Sequence, residues 1–276
     1  MTTGNEPART VPRNWDPAQY RRYGGERSRP FYDLISQIGA RDPGLVVDLG
    51  CGPGELTASL CERWPRAEVS GLDNSPEMIA EARRVLAGAT AGGAALPRLT
   101  FELMDLHDWT PAEPPDVIVS NAVLQWLPDR EALLLRFAEQ LADGGWLAVQ
   151  VPGNYDQPAH RLMRRLLGAD RWRSRLADVE LAWQSAEPTR YLDLLAGAGC
   201  EVVDAWETTY LHVLAGDDPV LEWLKGTALR PVLGALDADG REEFLAEFGS
   251  LLRDAYPRRD YGTVWPFRRV FVVARR

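Results

Sequence analysis

Through its first half the chain repeats one rhythm: a short apolar run, a polar turn, then apolar residues three and four positions apart. Leu45–Val46–Val47 suits a strand buried on both faces, and a helix pattern follows from Glu55 to about Arg63. Val69–Asp73 reads as a second strand. Ser75-Pro76-Glu77 then starts a helix, with a capping hydroxyl, a proline in the first turn and an acid suited to the helix dipole. Met78, Ile79, Ala82 and Leu86 give it an apolar face, and Thr90 to Pro97 reads as a loop. Leu99–Leu106 and Pro115–Asn121 are strands three and four. Ala122–Pro128 leads into a helix capped by Asp129, with Leu133, Leu134, Phe137 and Leu141 as its buried stripe. Trp146–Val151 is the fifth strand. Strands alternating with helices predict an α/β architecture with a parallel sheet.

The rhythm breaks after residue 152. A basic stretch containing His160, Arg161, Arg164, Arg165, Arg171, Arg173 and Arg175 reads mostly as a solvated face. Tyr191–Ala198 is a helix, Glu201–Leu214 a long sixth strand, Asp217–Arg253 helical in two or three pieces, and Val270–Ala274 the last strand. Residues 1–13 read as a loose tail, and Phe31, Leu34, Ile35 and Ile38 as a helix packed on the sheet. The expected organisation is one domain over 14–276, with an N-terminal lid (14–30) and cap insertions at about 152–188 and 215–262. For the lid, the alternative is that Trp15 and Tyr20 are ordinary anchoring aromatics.

The turn after the first strand carries the chemistry. It reads Asp48–Leu49–Gly50–Cys51–Gly52–Pro53–Gly54, a G-x-G-x-G spacing with an acid before it and Glu55 after it. A dinucleotide site has G-x-G-x-x-G facing a pyrophosphate, for which flanking carboxylates are poor neighbours. They suit a ligand with an amino group and a sulfonium. Asp73 ends the second strand and stands where a ribose-hydroxyl acceptor belongs. A purely structural strand–turn–helix is the alternative. Ligands of open α/β sheets bind beyond the carboxyl ends of strands, and Asp48, Asp73, Asp105 and Asn121 fall at four successive ends. Asp105 is placed to accept from an adenine amino group, or is a turn aspartate.

Composition narrows the partners. A net charge of −9 argues against non-specific attraction to nucleic acid. No apolar run approaches a membrane span. Three sparse cysteines without C-x-x-C suggest reduced thiols and a cytoplasmic location. His107, His160 and His212 lack metal-ligand spacing, so no metal site is expected, and the latter two read as packing or surface residues.

The glycine loop with Asp48 and Asp73 resembles the cofactor loop of class I S-adenosylmethionine-dependent methyltransferases. Further segments are similar to the trans-aconitate 2-methyltransferase family: W-D-P-A-Q-Y at 15–20, E-R-S-R-P at 26–30, S-N-A-V-L-Q-W-L-P-D at 120–129 and A-V-Q-V-P-G-N at 148–154. A-G-C-E-V at 198–202, E-T-T-Y at 207–210, G-T-A-L-R-P at 226–231 and F-V-V-A-R-R at 271–276 add to these. The likeness is loosest over 155–190.

The resemblance implies a Rossmann-like fold with a seven-stranded, mostly parallel sheet. It implies an enzyme that methylates a carboxylate of trans-aconitate and leaves S-adenosylhomocysteine. The cofactor would meet the backbone of Gly50, Cys51 and Gly52, with Asp48 near its amino group. Asp73, Asn74 and Met78 would meet the adenosine, Asp105 and Leu106 the adenine, and Asn121 the methionine end or the methyl. An ionised carboxylate needs no general base, so no catalytic acid or base is expected. A small polyanionic substrate calls for cationic and hydroxyl donors. The candidates are Arg27, Arg230, Tyr20, Tyr155 and Tyr210, with Trp183 as an apolar wall and Gln125 and Trp126 beside the cofactor or the acid. Arg27 and Arg230 pairing with acids elsewhere, and Tyr210 as a plain strand residue, are the alternatives. No obligate protein partner is expected. Rival functions are methylation of another small acid or natural product, a non-catalytic S-adenosylmethionine-binding module, and a nicotinamide-dependent oxidoreductase.

Overall fold

The computed structural model describes residues 24–91, 98–179 and 187–276. Its central strand, β1 (Leu45–Leu49), is buried from Val46 onward, as its apolar run requires. It pairs in parallel with β2 (Glu68–Asp73) on one side and β4 (Val117–Asn121) on the other. β3 (Leu99–Leu103) extends the sheet beyond β2, and β5 (Trp146–Pro152) extends it beyond β4, again in parallel. β6 (Val202–Leu214) is the far edge. A two-residue β7 (Arg258–Arg259) folds back on β8 (Gly262–Arg275), which inserts antiparallel between β5 and β6. The order is β3-β2-β1-β4-β5-β8-β6. The expected seven strands are present, with β7 as a small addition.

Helices cover both faces, as a mostly parallel sheet demands. On one face α1 (Gly24–Ser36) and α2 (Glu55–Arg63) join α3 (Pro76–Ala91) around Phe31, Leu34, Leu60, Ile79 and Phe271. On the other, α4 (Arg130–Gln140) and, after α5 (Pro158–Leu167) and α6 (Asp170–Arg173), α7 (Pro188–Gly197) enclose Leu133, Phe137, Tyr191 and Val272. The start of α3 follows the sequence, because the backbone N–H of Met78 donates to Ser75 Oγ at 3.3 Å. Asp129 does precede α4, but its side chain caps nothing and pairs instead with His107.

A third core is formed by helices from the two segments expected as cap insertions. α5 (Pro158–Leu167), α6 (Asp170–Arg173), α8 (Pro219–Lys225), α9 (Arg230–Ala235) and α10 (Ala238–Ala255) bury Met163, Trp172, Trp223, Phe244, Phe248 and Trp265 together. Asp237 caps α10 by accepting from Gly240 N at 3.0 Å.

Two strand boundaries differ from expectation. β3 ends at Leu103, which leaves Asp105 in the following loop. β8 begins at Gly262, well before Val270. Only residues from Arg269 onward pair with β5, whereas β6 pairs with β8 along its whole length. The β6–β8 ribbon therefore runs on past the carboxyl ends of the parallel strands. At about 3.4 Å per residue, Thr263 to Arg269 covers roughly 20 Å. This overhang carries Trp265 and Phe267 over the ligand end of the sheet, with Arg269 at its base opposite Pro152, and the cap packs against it.

Candidate active site

Two constraints shape the glycine loop, backbone conformation and crowding. Gly50 (φ 81°) and Gly54 (φ 85°) lie in the left-handed region. A Cβ on Gly50 would come within 2.2 Å of Val123, and one on Gly54 within 2.7 Å of Phe101. The N–H groups of Gly50 and Cys51 both donate to Leu72 O, at 2.7 and 2.9 Å. Asp73 fixes the rest: its Oδ2 accepts from Gly52 N at 3.0 Å and its Oδ1 from Ser75 N at 2.9 Å. Burial raises the Asp73 carboxyl above its usual range, and the N–H donors of Ser75, Gly52 and Asn74 partly offset this.

A cavity opens beside this loop, lined by Gly50, Gly52, Asp73, Asn74, Met78, Asp105, Leu106, Asn121, Ala122, Val123, Trp126 and Leu127. The lining fits an adenosyl–amino acid ligand. An acid stands at one strand end, nothing lies within 4 Å of where a Gly52 Cβ would be, and Asn121 Oδ1 is buried with no hydrogen-bond partner among the described residues. Asp105 is tied back on its own loop. Its Oδ1 accepts from His107 N at 2.9 Å and lies 2.8 Å from His107 Nδ1. His107 Nε2 reaches Asp129 Oδ1 at 3.0 Å. Burial alone would pull the His107 pKa down, but the carboxylates of Asp129 and Asp105 raise it overall.

Asp48 and Cys51 do not line this cavity. Asp48 is 3% exposed and accepts a hydrogen bond from Thr57 Oγ1 at 2.6 Å. Cys51 points into the core near Gly71, and burial pushes its thiol far up. Burial, only partly countered by Thr57 and reinforced by Asp73, raises the Asp48 pKa to about 7. The folded form thus holds a proton that the unfolded chain releases near pH 4. Asp48's contribution to stability is present at low pH and is lost as pH rises toward 7. Asp48→Asn is accordingly expected to gain on the unsubstituted ligand-free protein between pH 5 and pH 8, by roughly 3 kcal/mol. Urea unfolding at both pH values checks this, and an equal difference at both would contradict a buried, titrating Asp48.

A second cavity adjoins the first and shares Asn121, Ala122 and Trp126 with it. Its other walls are Gln125, Pro152, Asn154, Tyr155, His160, Trp223, Leu224, Thr227, Ala228, Phe267 and Arg269. Gln125 Oε1 and Asn154 Nδ2 are buried without hydrogen-bond partners among the described residues. Burial, reinforced by Arg164, lowers the His160 pKa to about 4, and burial raises that of Tyr155. At neutral pH this imidazole and this phenol are therefore both uncharged.

The geometry separates the substrate candidates. Gln125, Trp126 and Tyr155 line the second cavity. Arg230 does not; it opens α9 just beyond Ala228. Tyr210 is also absent from the wall, because its hydroxyl donates to Asp33 Oδ2 at 2.7 Å and ties β6 to α1. Tyr20, Trp183 and the side chain of Arg27 lie outside the described residues, as do residues 1–13 and most of the expected lid. Arg269, Asn154, His160 and Phe267 were not among the candidates, although Arg268-Arg269 immediately before an apolar run was a signal available in the sequence.

A sequence profile of the methyltransferase domain matches residues 20–205. A trans-aconitate 2-methyltransferase of Streptomyces avermitilis is 54% identical, over 95% of this chain and 96% of its own. Proteins of that name from Rhodococcus jostii (51%; 94% and 98%) and Mycobacterium tuberculosis (44%; 94% and 96%) are also similar end to end. The chain belongs to the trans-aconitate 2-methyltransferase family.

Solved structures support the fold of this family member. The YcgJ protein of Bacillus subtilis superposes with a TM-score of 0.59 at 15% identity, covering 90% of this chain and 98% of its own. Phosphoethanolamine N-methyltransferase 2 of Haemonchus contortus, solved with S-adenosyl-L-methionine, gives 0.55 at 16% identity, over 94% of this chain and 56% of its own. The protein is a methyltransferase with the Rossmann-like fold, and S-adenosylmethionine is its methyl donor. Among the described residues no cluster of His, Cys, Asp and Glu could hold a metal ion, and no helix is long and apolar enough to cross a membrane.

Proposed function

We propose that the chain methylates a carboxylate of trans-aconitate, giving the monomethyl ester and S-adenosylhomocysteine. The relatives named above bear that activity in their names. The observation that carries the reading is the shared wall of Asn121, Ala122 and Trp126 between a cavity lined by glycine backbone and the Asp73 carboxylate and a second lined by polar side chains and the Arg269 guanidinium. S-adenosylmethionine, when bound, supplies a methyl group on a sulfonium leaving group.

The residues of the chain bind and align. Asp73 holds the ribose hydroxyls through the lone pairs that Gly52 and Ser75 leave open, with Asn74 and Met78 beside the adenosine. Leu106 and the Asp105 loop border the adenine. The backbone of Gly50, Cys51 and Gly52 cradles the amino-acid part. Asp48 acts on that part only through the loop. Asn121, Gln125 and Trp126 border the point of transfer, and Tyr155 orients the acid. Tyr20, Arg27 and Trp183 are kept as acid-side candidates, Arg230 opens α9 just beyond the wall residue Ala228, and Tyr210 anchors α1.

No general base is needed, because a carboxylate with a reference pKa near 4 is already ionised at neutral pH. Holding the reacting atoms in line supplies on the order of 7–11 kcal/mol. The apolar share of both walls excludes water. A soluble, cytoplasmic enzyme that needs no protein partner fits this reading.

The test is turnover with methyl-labelled S-adenosylmethionine across trans-aconitate, cis-aconitate, citrate, isocitrate and several monocarboxylates. Base-labile label, chiefly on trans-aconitate, is the expected result. Intact cofactor binding without transfer to trans-aconitate would overturn the reading.

A further inference from the structure

The wall of the second cavity carries a guanidinium whose task the methyl transfer itself does not define. Arg269 is 4% exposed and lines the cavity wall. Its neighbour Arg268 projects from the opposite face of β8 and is engaged with Glu207, Glu187 and the carbonyl of Gly153. The strand alternation thus gives two consecutive arginines different tasks. One closes surface ion pairs, and the other is directed into a buried pocket.

Neutral groups are among those that hold Arg269 in place. Its Nη1 donates to Gln150 Oε1 at 3.1 Å, and its guanidinium lies 4.5 Å from the centre of the Phe267 ring. Gln150 is fully buried behind it and stands opposite Asn121 in the β4–β5 pairing. The support of Arg269 is therefore built on the strand that neighbours the wall shared by the two cavities. Around it the cavity presents uncharged polar side chains: Asn154 and Gln125, each with a buried atom lacking a partner among the described residues, and neutral His160 and Tyr155. A guanidinium in such surroundings fits an anion with a planar fork, which is a carboxylate.

We infer that Arg269, positioned by Gln150, binds a carboxylate of the acid other than the one methylated, and so selects polycarboxylates over monocarboxylates. This rests on the methyl-transfer reading above. Arg269 belongs to the acid and Asp73 to the cofactor, so the two sites can be perturbed separately.

The decisive variant is Gln150→Glu, which keeps the side-chain size and gives Arg269 an internal carboxylate partner. Were Arg269 purely structural, this change would leave the preference between trans-aconitate and crotonate unaltered, because the added charge would act on both. If Arg269 binds the acid, the new carboxylate competes with it. KM for trans-aconitate should rise at least 10-fold in Gln150→Glu and about 100-fold in Arg269→Met. Kd for S-adenosylhomocysteine should stay within twofold in Gln150→Glu. The preference for trans-aconitate over crotonate, a monocarboxylate, should collapse. Arg269→Lys should recover part of the loss.

Unchanged KM in Gln150→Glu with cofactor binding intact would overturn the inference. So would an equal rise in KM for trans-aconitate and crotonate. Should Arg269→Met fail to fold, Gln150→Glu decides alone. Should the unsubstituted enzyme methylate no acid in the panel, the reaction falls, and Arg269 is read by binding instead. With S-adenosylhomocysteine present, trans-aconitate should raise the melting temperature of the unsubstituted protein and not that of Gln150→Glu. Equal shifts, or none in either, would overturn the inference.

Discussion

Asp73→Ala is expected to raise Kd for S-adenosylhomocysteine at least 100-fold and to lower kcat/KM in proportion. Two ribose hydroxyls bonded to a carboxylate are worth about 1.5–3 kcal/mol each, so losing both exceeds two orders of magnitude. The same side chain also holds the glycine loop, through Gly52 N and Ser75 N. The ligand-free variant should therefore melt several degrees lower as well. Asp73→Asn separates the two effects, because its amide keeps one acceptor and turns a donor toward an N–H. Binding should then fall about 10-fold. Titration calorimetry gives Kd, and thermal melts without ligand give the loop contribution. A Kd within threefold of the original in Asp73→Ala would remove Asp73 from the cofactor site.

Gly50→Ala is the second large effect. Its left-handed φ costs a non-glycine residue roughly 1–2 kcal/mol. The new methyl group would overlap the Val123 side chain, and forcing an extra carbon into a packed site costs about 1–3 kcal/mol more. Val123 lines the first cavity, so its displacement should deform the cofactor site along with the loop. The variant should lose cofactor binding by at least 30-fold and fall several degrees in melting temperature. Adding Val123→Ala should return the overlap part and leave the backbone part. A double variant no more stable than Gly50→Ala would mean that Val123 is not what the glycine accommodates.

The local units were legible because their signals are local. Leu45–Val47 followed by glycines and an amphipathic run specifies a strand, a tight turn and a helix whatever lies around them. Asp73 at the end of β2, with Ser75 capping α3, is fixed within a few residues, and both are seen where the pattern placed them. Asn74, Met78, Asp105, Leu106 and Asn121 were legible for the same reason. Parallel strands all bring their carboxyl ends to one edge, so residues just past those ends converge on a single cavity.

The direction of a side chain at such an end was less accessible. Asp48 sits on β1 two residues before Gly50, yet it faces Thr57 at the start of α2. Period-two alternation assigns it to a face, and only helix packing makes that face a dry interior. Tyr210 shares this history. Its strand and burial follow from sequence, but its partner Asp33 comes from a helix far away in the chain.

The sequence by itself determined the β1–glycine loop–α2 unit, the order of strands and helices through β5, and the acid at Asp73 that ends β2 beside the first cavity. Short-range sterics, capping and hydrophobic period decide these. Only the tertiary structure decided what lies opposite them. β8 enters antiparallel, so the residues that overhang the ligand end are those at its beginning, which no pattern at the end of an apolar run can reveal. Strand direction and neighbour are long-range choices, set by how the cap and the β6–β8 ribbon pack. They alone turn Arg269 into the cavity while Arg268, one residue earlier, reaches the surface acids.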